Sequence, residues 1–194
     1  VSDGCGNAFS VKLFYHGYDM TAPTFTAPGD TMIYTEENCV YDASPDVTGD
    51  VTDEADNCAT GLDATYEDKV EEGSCAGEKI ITRTWSLVDN CTNAAADQIQ
   101  IITVKDNIDP VFDAAPVDVT VECESDVPVM TDLGWTDNCA GSGSVTGSDG
   151  DLVGGSCGGT ITRTWTYTDA CGNTGSATQT ITVKDTMDPV FDAA

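Results

Sequence analysis

Basic residues are scarce. The chain has 194 residues, with 7 Lys and Arg against 34 Asp and Glu, a formal net charge of −27. That shortage excludes nucleic acid as a partner, because neutralising a polyanion takes cations this chain does not have. An anionic membrane surface is disfavoured for the same reason. No run of 18 apolar residues occurs, so no membrane-inserted helix is expected. Histidine is represented by His16 alone, which leaves no multi-histidine metal site and no repeated base for a Ser or Cys nucleophile. C-x-x-C pairs, the usual mark of structural zinc, are absent. So are phosphate-cradling loops, H-E-x-x-H and G-x-S-x-G. Carboxylates abound, but in so acidic a chain their pairing is uninformative about catalysis. The chain is therefore expected not to be an enzyme.

What is present is repetition. Ile81-Thr82-Arg83-Thr84-Trp85 returns as Ile161-Thr162-Arg163-Thr164-Trp165. Ile102-Thr103-Val104-Lys105-Asp106 returns as Ile181-Thr182-Val183-Lys184-Asp185, and Asp56-Asn57-Cys58 as Asp137-Asn138-Cys139. Asp109-Pro110-Val111-Phe112 returns as Asp188-Pro189-Val190-Phe191. A period of about 80 residues is too long for a solenoid and suits a small β-sandwich. The frame predicts a partial repeat over 1–22, whole repeats over 23–108 and 109–187, and the start of another over 188–194. The opening Val-Ser-Asp carries no signal-peptide pattern, and Asp3-Gly4-Cys5-Gly6-Asn7 matches Asp169-Ala170-Cys171-Gly172-Asn173. The expectation is a window on a longer tandem array.

Strand signals dominate. Val117-Asp118-Val119-Thr120-Val121 alternates at period two, as does Thr160–Tyr167, with Ile161, Trp165 and Tyr167 on one face. Glycine-rich punctuation separates the runs, and no long window has a helical period with caps. The fold class is predicted as all-β: tandem immunoglobulin-like β-sandwiches, each with two intradomain disulfides. Trp85 and Trp165 are expected to anchor cores. Arg83 and Arg163, on the same strand faces, are expected to stack on a Trp or pair with a local carboxylate.

Nine cysteines at wide intervals point to disulfides in an oxidising compartment. The first whole repeat holds Cys39, Cys58, Cys75 and Cys91, the second Cys123, Cys139, Cys157 and Cys171, and Cys5 occupies the fourth position of the partial one. Four cysteines allow three connectivities. A strand-by-strand path that places Cys123 with Cys171 at one pole and Cys139 with Cys157 at the other predicts those two bonds, and likewise Cys39–Cys91 and Cys58–Cys75.

A strand ending in Cys, then Asp-Asn-Cys, a Thr-Trp strand, Asp-x-Cys-Gly-Asn and a strand ending Val-x-Asp before Pro resembles hyalin-repeat (HYR-like) modules. The pattern is most similar to the cysteine-bearing version in very long surface adhesins of gliding and other Bacteroidota-type bacteria. It departs at Thr92, which replaces the glycine at Gly172, and at Asp19-Met20-Thr21-Ala22-Pro23, which keeps one of the two linker aspartates. The resemblance implies a secreted, cell-surface stalk or adhesin repeat. Its partners would be neighbouring repeats of the same chain, together with other copies or surface glycans and proteins.

Calcium is the one candidate cofactor. Asp106 with Asp109, and Asp185 with Asp188, place hard oxygen ligands at the junctions between repeats, and Asp56, Asp89, Asp137 and Asp169 flank cysteines at turns. The plainer alternative is that these aspartates cap turns. Asp30-Thr31-Met32 and Asp185-Thr186-Met187 resemble a bacterial O-glycosylation acceptor, which makes Thr31 and Thr186 candidates. Asn90-Cys91-Thr92 matches N-x-[ST] but carries a predicted disulfide cysteine. The leading functional expectation is a non-enzymatic stalk segment. Glycan or protein binding by the repeats themselves is the alternative, and an accessory region of a secreted enzyme the third.

Overall fold

The computed structural model describes residues 5, 12, 17–155 and 158–191. His16 and Cys157 lie outside the described residues. Among those residues no helix is long and apolar enough to cross a membrane.

Strands β1 (Thr31–Tyr34), β2 (Thr65–Glu72), β3 (Lys79–Ser86) and β4 (Gln98–Lys105) form one sheet in the order β1-β4-β3-β2. Alternation decides its inner face. Ile81, Arg83 and Trp85 of β3 point inward, and threonines point outward between them. Ile33, Ile81, Ile102 and Val104 form one apolar cluster, and Phe25, Val51, Ala64, Trp85 and Leu87 form another. The facing layer is largely irregular, with a Thr24–Ala55 bridge and a short helix over Pro45–Thr48. Strand β2 lies at the edge, exposed along its length and carrying Glu67, Asp68, Lys69, Glu71 and Glu72. Such charge discourages pairing with another chain.

The second repeat has two regular layers. Strands β5 (Val111–Phe112), β7 (Asp132–Asp137) and β8 (Gly141–Thr146) make a three-stranded sheet. Facing it are β6 (Val119–Val121), β9 (Ser148–Asp149), β10 (Val153–Gly155), β11 (Gly158–Thr168) and β12 (Thr174–Lys184). Stacking of Trp135 on Tyr167, with ring centroids 3.7 Å apart, joins the layers. Trp165 is fully buried and donates its Nε1–H to the Thr131 carbonyl, and Trp85, equally buried, donates to Gln100 Oε1. The two arginines are structural, as expected. Arg83 forms a bidentate pair with Asp68 and stacks on Tyr66 at 4.0 Å. Arg163 forms the same fork with Asp149 and also donates to the Pro128 carbonyl.

The intradomain disulfides are not found. Among the described residues the bonds are Cys39–Cys139 and Cys75–Cys171, with Cα atoms 4.8 and 5.3 Å apart, and both cross from one repeat to the next. Strand direction is the reason. β1 runs parallel to β4, and β6 parallel to β12. Each first strand therefore ends beside the exit of its own repeat, so Cys123 lies at the exit end and Cys171 at the entry end. The path predicted from the sequence puts both at one pole. An eight-residue strand such as β3 spans about 26 Å, whereas a disulfide needs Cα atoms within about 7 Å. The expected Cys39–Cys91, Cys58–Cys75 and Cys123–Cys171 bonds are thus replaced. The expected Cys139–Cys157 bond is also excluded, because Cys139 is bonded to Cys39.

Candidate functional site

The junction between repeats is where the chemistry gathers. On the exit side of the first repeat, β1 continues through Thr35, whose N–H bonds the Lys105 carbonyl. A tight loop then closes with Glu36 N–H on the Val40 carbonyl, and Asn38 and Cys39 inside it have φ of 65° and 58°. This loop carries the Cys39 sulfur towards the second repeat. Cys75 sits in the β2–β3 connection, where Gly73 N–H bonds the Glu78 carbonyl and Ser74 is held by Glu78 Oε2. Gly77 lies between the two bridges at a φ of +87°. A Cβ there would meet Cys139 Sγ at 2.5 Å and Cys39 Sγ at 3.2 Å, so a side chain would collide with the first bridge.

On the entry side of the second repeat, Cys139 and Cys171 stand on two aspartate-led turns. Asp137 Oδ1 accepts N–H bonds from Cys139 and Ala140. Asp169 Oδ1 accepts from Asn173 N–H, and Asp169 Oδ2 from the Asn173 side chain. Polar contacts reinforce the crossing. Asn138 donates from its amide to Thr35 Oγ1 and to the Glu36 carbonyl, and Asn173 donates to the Asp106 carbonyl. Thr35 Oγ1 in turn donates to Asp106 Oδ1.

The entry side of the first repeat repeats this arrangement. Asp56 Oδ1 accepts from Cys58 and Ala59 N–H, bonds that hold its carboxyl below the ordinary range. Asp89 Oδ1 accepts from Cys91 and Asn93 N–H, and Asn93 donates to the Asp19 carbonyl. Cys58 and Cys91 are exposed and outside any disulfide. Asp19 pushes the Cys58 thiol above its usual value, with burial, Asp56, Cys91 and Asp89 adding to the effect.

The expected metal residues differ in their surroundings. Asp106 is buried and lies with Asp169, whereas Asp109 is exposed and accepts the Thr174 N–H. Asp185 and Asp188 are exposed, and Asp185 accepts the Met187 N–H. Asp19, Asp56 and Asp89 group together, with one carboxylate oxygen from each lying within 4.8 Å of the others. Sequence reasoning passed over Asp19 as a ligand, although it stands four residues before Pro23 as Asp106 stands four before Pro110. Thr31 opens β1 half-buried. Thr186 is exposed, and both its N–H and its hydroxyl are bonded to Glu122.

Residues 111–183 match the family described as HYR-like domain with 4 cysteines. No curated protein matches the chain. The match supports the HYR-like repeat family for the second repeat. An HYR-like domain with disulfides points to an extracellular, adhesion-type repeat module.

Proposed function

We propose that the chain is a structural, non-enzymatic stalk segment of a long extracellular surface adhesin or fibre, in which each repeat is bonded covalently to the next. The observation that carries this reading is the pair of disulfides from the exit end of one repeat to the entry end of its neighbour. A binding module needs a preformed site. A load-bearing stalk needs junctions that do not part, and these bridges supply that.

The repeat frame extends the clamp beyond the bonded junction. Cys58 and Cys91 occupy the places of Cys139 and Cys171 and are exposed at the entry end. Cys123 lies two residues beyond β6; Val121 pairs with Val183 as Ile33 pairs with Val104, which puts Cys123 at the place of Thr35, and Thr35 Oγ1 lies 3.8 Å from Cys139 Sγ. A cysteine at that place reaches the next repeat's turn. In this reading Cys58 and Cys91 bond cysteines of a preceding HYR-like repeat, and Cys123 bonds one of a following repeat. Each bond forms from two thiols, with two protons released and two electrons passed to the disulfide of an oxidising dithiol carrier, which leaves as the dithiol.

Pulling single molecules from both ends tests the clamp. Cys39–Cys139 hides 100 residues of contour from the force. Reduction should therefore lengthen the fully extended chain by about 330–360 Å, at roughly 3.3–3.6 Å per residue. Equal extension with and without reductant would refute the covalent junction and the stalk reading with it.

A further inference from the structure

Among the described residues four buried carboxylate oxygens have no hydrogen-bond donor: Oδ2 of Asp19, Asp56, Asp106 and Asp137. They occupy equivalent places in two successive repeats. Asp19 and Asp106 end the approach to each repeat, and each accepts, through Oδ1, the N–H two residues later. Asp56 and Asp137 head the Asp-Asn-Cys turns and use Oδ1 to accept two backbone N–H groups. Asp89 and Asp169 complete each set and are buried, as is Asp106 at 6 % exposure. In Asp19, Asp56, Asp106 and Asp137 the Oδ1 atoms cap turns, which leaves Oδ2 with no structural task, whereas Asp89 and Asp169 use Oδ2 to accept from the Asn93 and Asn173 side chains. Buried polar atoms are almost always satisfied, and a repeated orphan at matching positions points to a ligand common to both places.

Repulsion strengthens the argument. Asp19, Asp56 and Asp89 hold oxygens within 4.8 Å of one another, with no Lys or Arg in an ion pair to any of them among the described residues. Crowded carboxylates removed from water call for a counter-charge. At the second junction Asp106 and Asp169 gather with Cys171, whose sulfur is already bonded to Cys75 and offers no thiolate. Asn138 Oδ1, beside Asp137, is a further buried oxygen without a partner, and its amide bonds the same Thr35 hydroxyl that donates to Asp106. The donor set is oxygen throughout, which selects a hard divalent cation, and several carboxylates with amide and hydroxyl oxygens suit calcium.

We propose that each junction binds one Ca²⁺, held by Asp19, Asp56 and Asp89 at the first and by Asp106 and Asp169 at the second, where the partnerless Asp137 Oδ2 and Asn138 Oδ1 stand on the adjoining turn. The ion would tie the incoming linker to the two turns that present the cysteines. This differs from an ion held by Asp106 with Asp109, since Asp109 is turned to Thr174.

Calorimetric titration of the oxidised, chelator-stripped chain with Ca²⁺ tests the assignment. Two sites per chain are expected. Asp19→Asn and Asp106→Asn should each remove one site, and the double variant both. Asparagine keeps an oxygen for the turn N–H, and peptide mapping of Cys39–Cys139 and Cys75–Cys171 confirms that the junction has formed. Asp137→Asn provides a second variant of the second site. No binding by the disulfide-intact protein, unchanged stoichiometry in the variants, or equal binding of Mg²⁺ would overturn the proposal. None of those results would touch the covalent clamp, whose test is extension under reductant.

Discussion

Thr92 shows how a single residue can be out of keeping with its backbone. It has a φ of 72° in the turn where the second repeat has Gly172 at 94°. Both turns close alike, with the N–H of the fourth residue bonded to the carbonyl of the leading aspartate. A β-branched residue in the left-handed region is strained, and the cost is about 1–2 kcal/mol. Part of that is regained because threonine restricts the unfolded chain more than glycine does. Thr92→Gly is expected to raise stability by about 1 kcal/mol, and Gly172→Thr to lower it similarly. Denaturant midpoints of the two variants measure this, and a destabilised Thr92→Gly would contradict it.

Paired strands set the next scale, and β9 with β11 is the clearest case. Asp149 lies opposite Arg163 across that pairing, and the fork between them fixes the short strand to the sheet. Hydrogen bonding from Arg163 holds the Asp149 carboxyl below its ordinary range. The unfolded chain protonates this group near pH 3.9. The pair's contribution is therefore complete above about that pH and is lost as pH falls through the lower folded value. Asp149→Asn should flatten the acid side of the stability profile below about pH 4. Arg163→Ala, which leaves the exposed Asp149 carboxylate and the Pro128 carbonyl without their buried partner, should cost about 2 kcal/mol. An acid limb identical in wild type and Asp149→Asn would rule the pair out as its source.

Much at this scale was legible in the sequence. The period-two runs at Val117–Val121 and Thr160–Tyr167 give β6 and β11, β3 follows as the repeat of β11, and the positions of Trp85 and Trp165 follow from the same alternation. The parallel pairings of β1 with β4 and β6 with β12 were not legible. They join segments far apart in the chain, and a three- or four-residue strand carries no local mark of its direction. The disulfide partners depended on that direction and were misassigned with it. Of the acidic residues, the turn-leading Asp56, Asp89, Asp137 and Asp169 could be flagged from composition. Which linker aspartate joins them depends on burial, and only three-dimensional packing decides that.

For the molecule as a whole, the bridges act between repeats more than within them. Each repeat keeps its own apolar clusters, and neither crossing bond passes through one. Reduction should therefore release the junction before it unfolds the repeats. Small-angle scattering in chelator should show one maximum dimension for the oxidised chain and a broadened distribution after reduction, while far-ultraviolet circular dichroism stays unchanged. Superimposable profiles would mean that packing alone fixes the junction. Cys39→Ser and Cys75→Ser, each of which leaves the other bridge, are expected to fall between the two states.

The crossing bonds also bear on rotation. Between the repeats the polypeptide passes once, near Asp106, and the sulfurs of Cys39–Cys139 and Cys75–Cys171 pass at two further points. A lone peptide connection is a swivel, because its single bonds turn freely. Three separate attachments behave like a keyed shaft: a twist applied to one repeat is delivered to its neighbour instead of being dissipated in the gap.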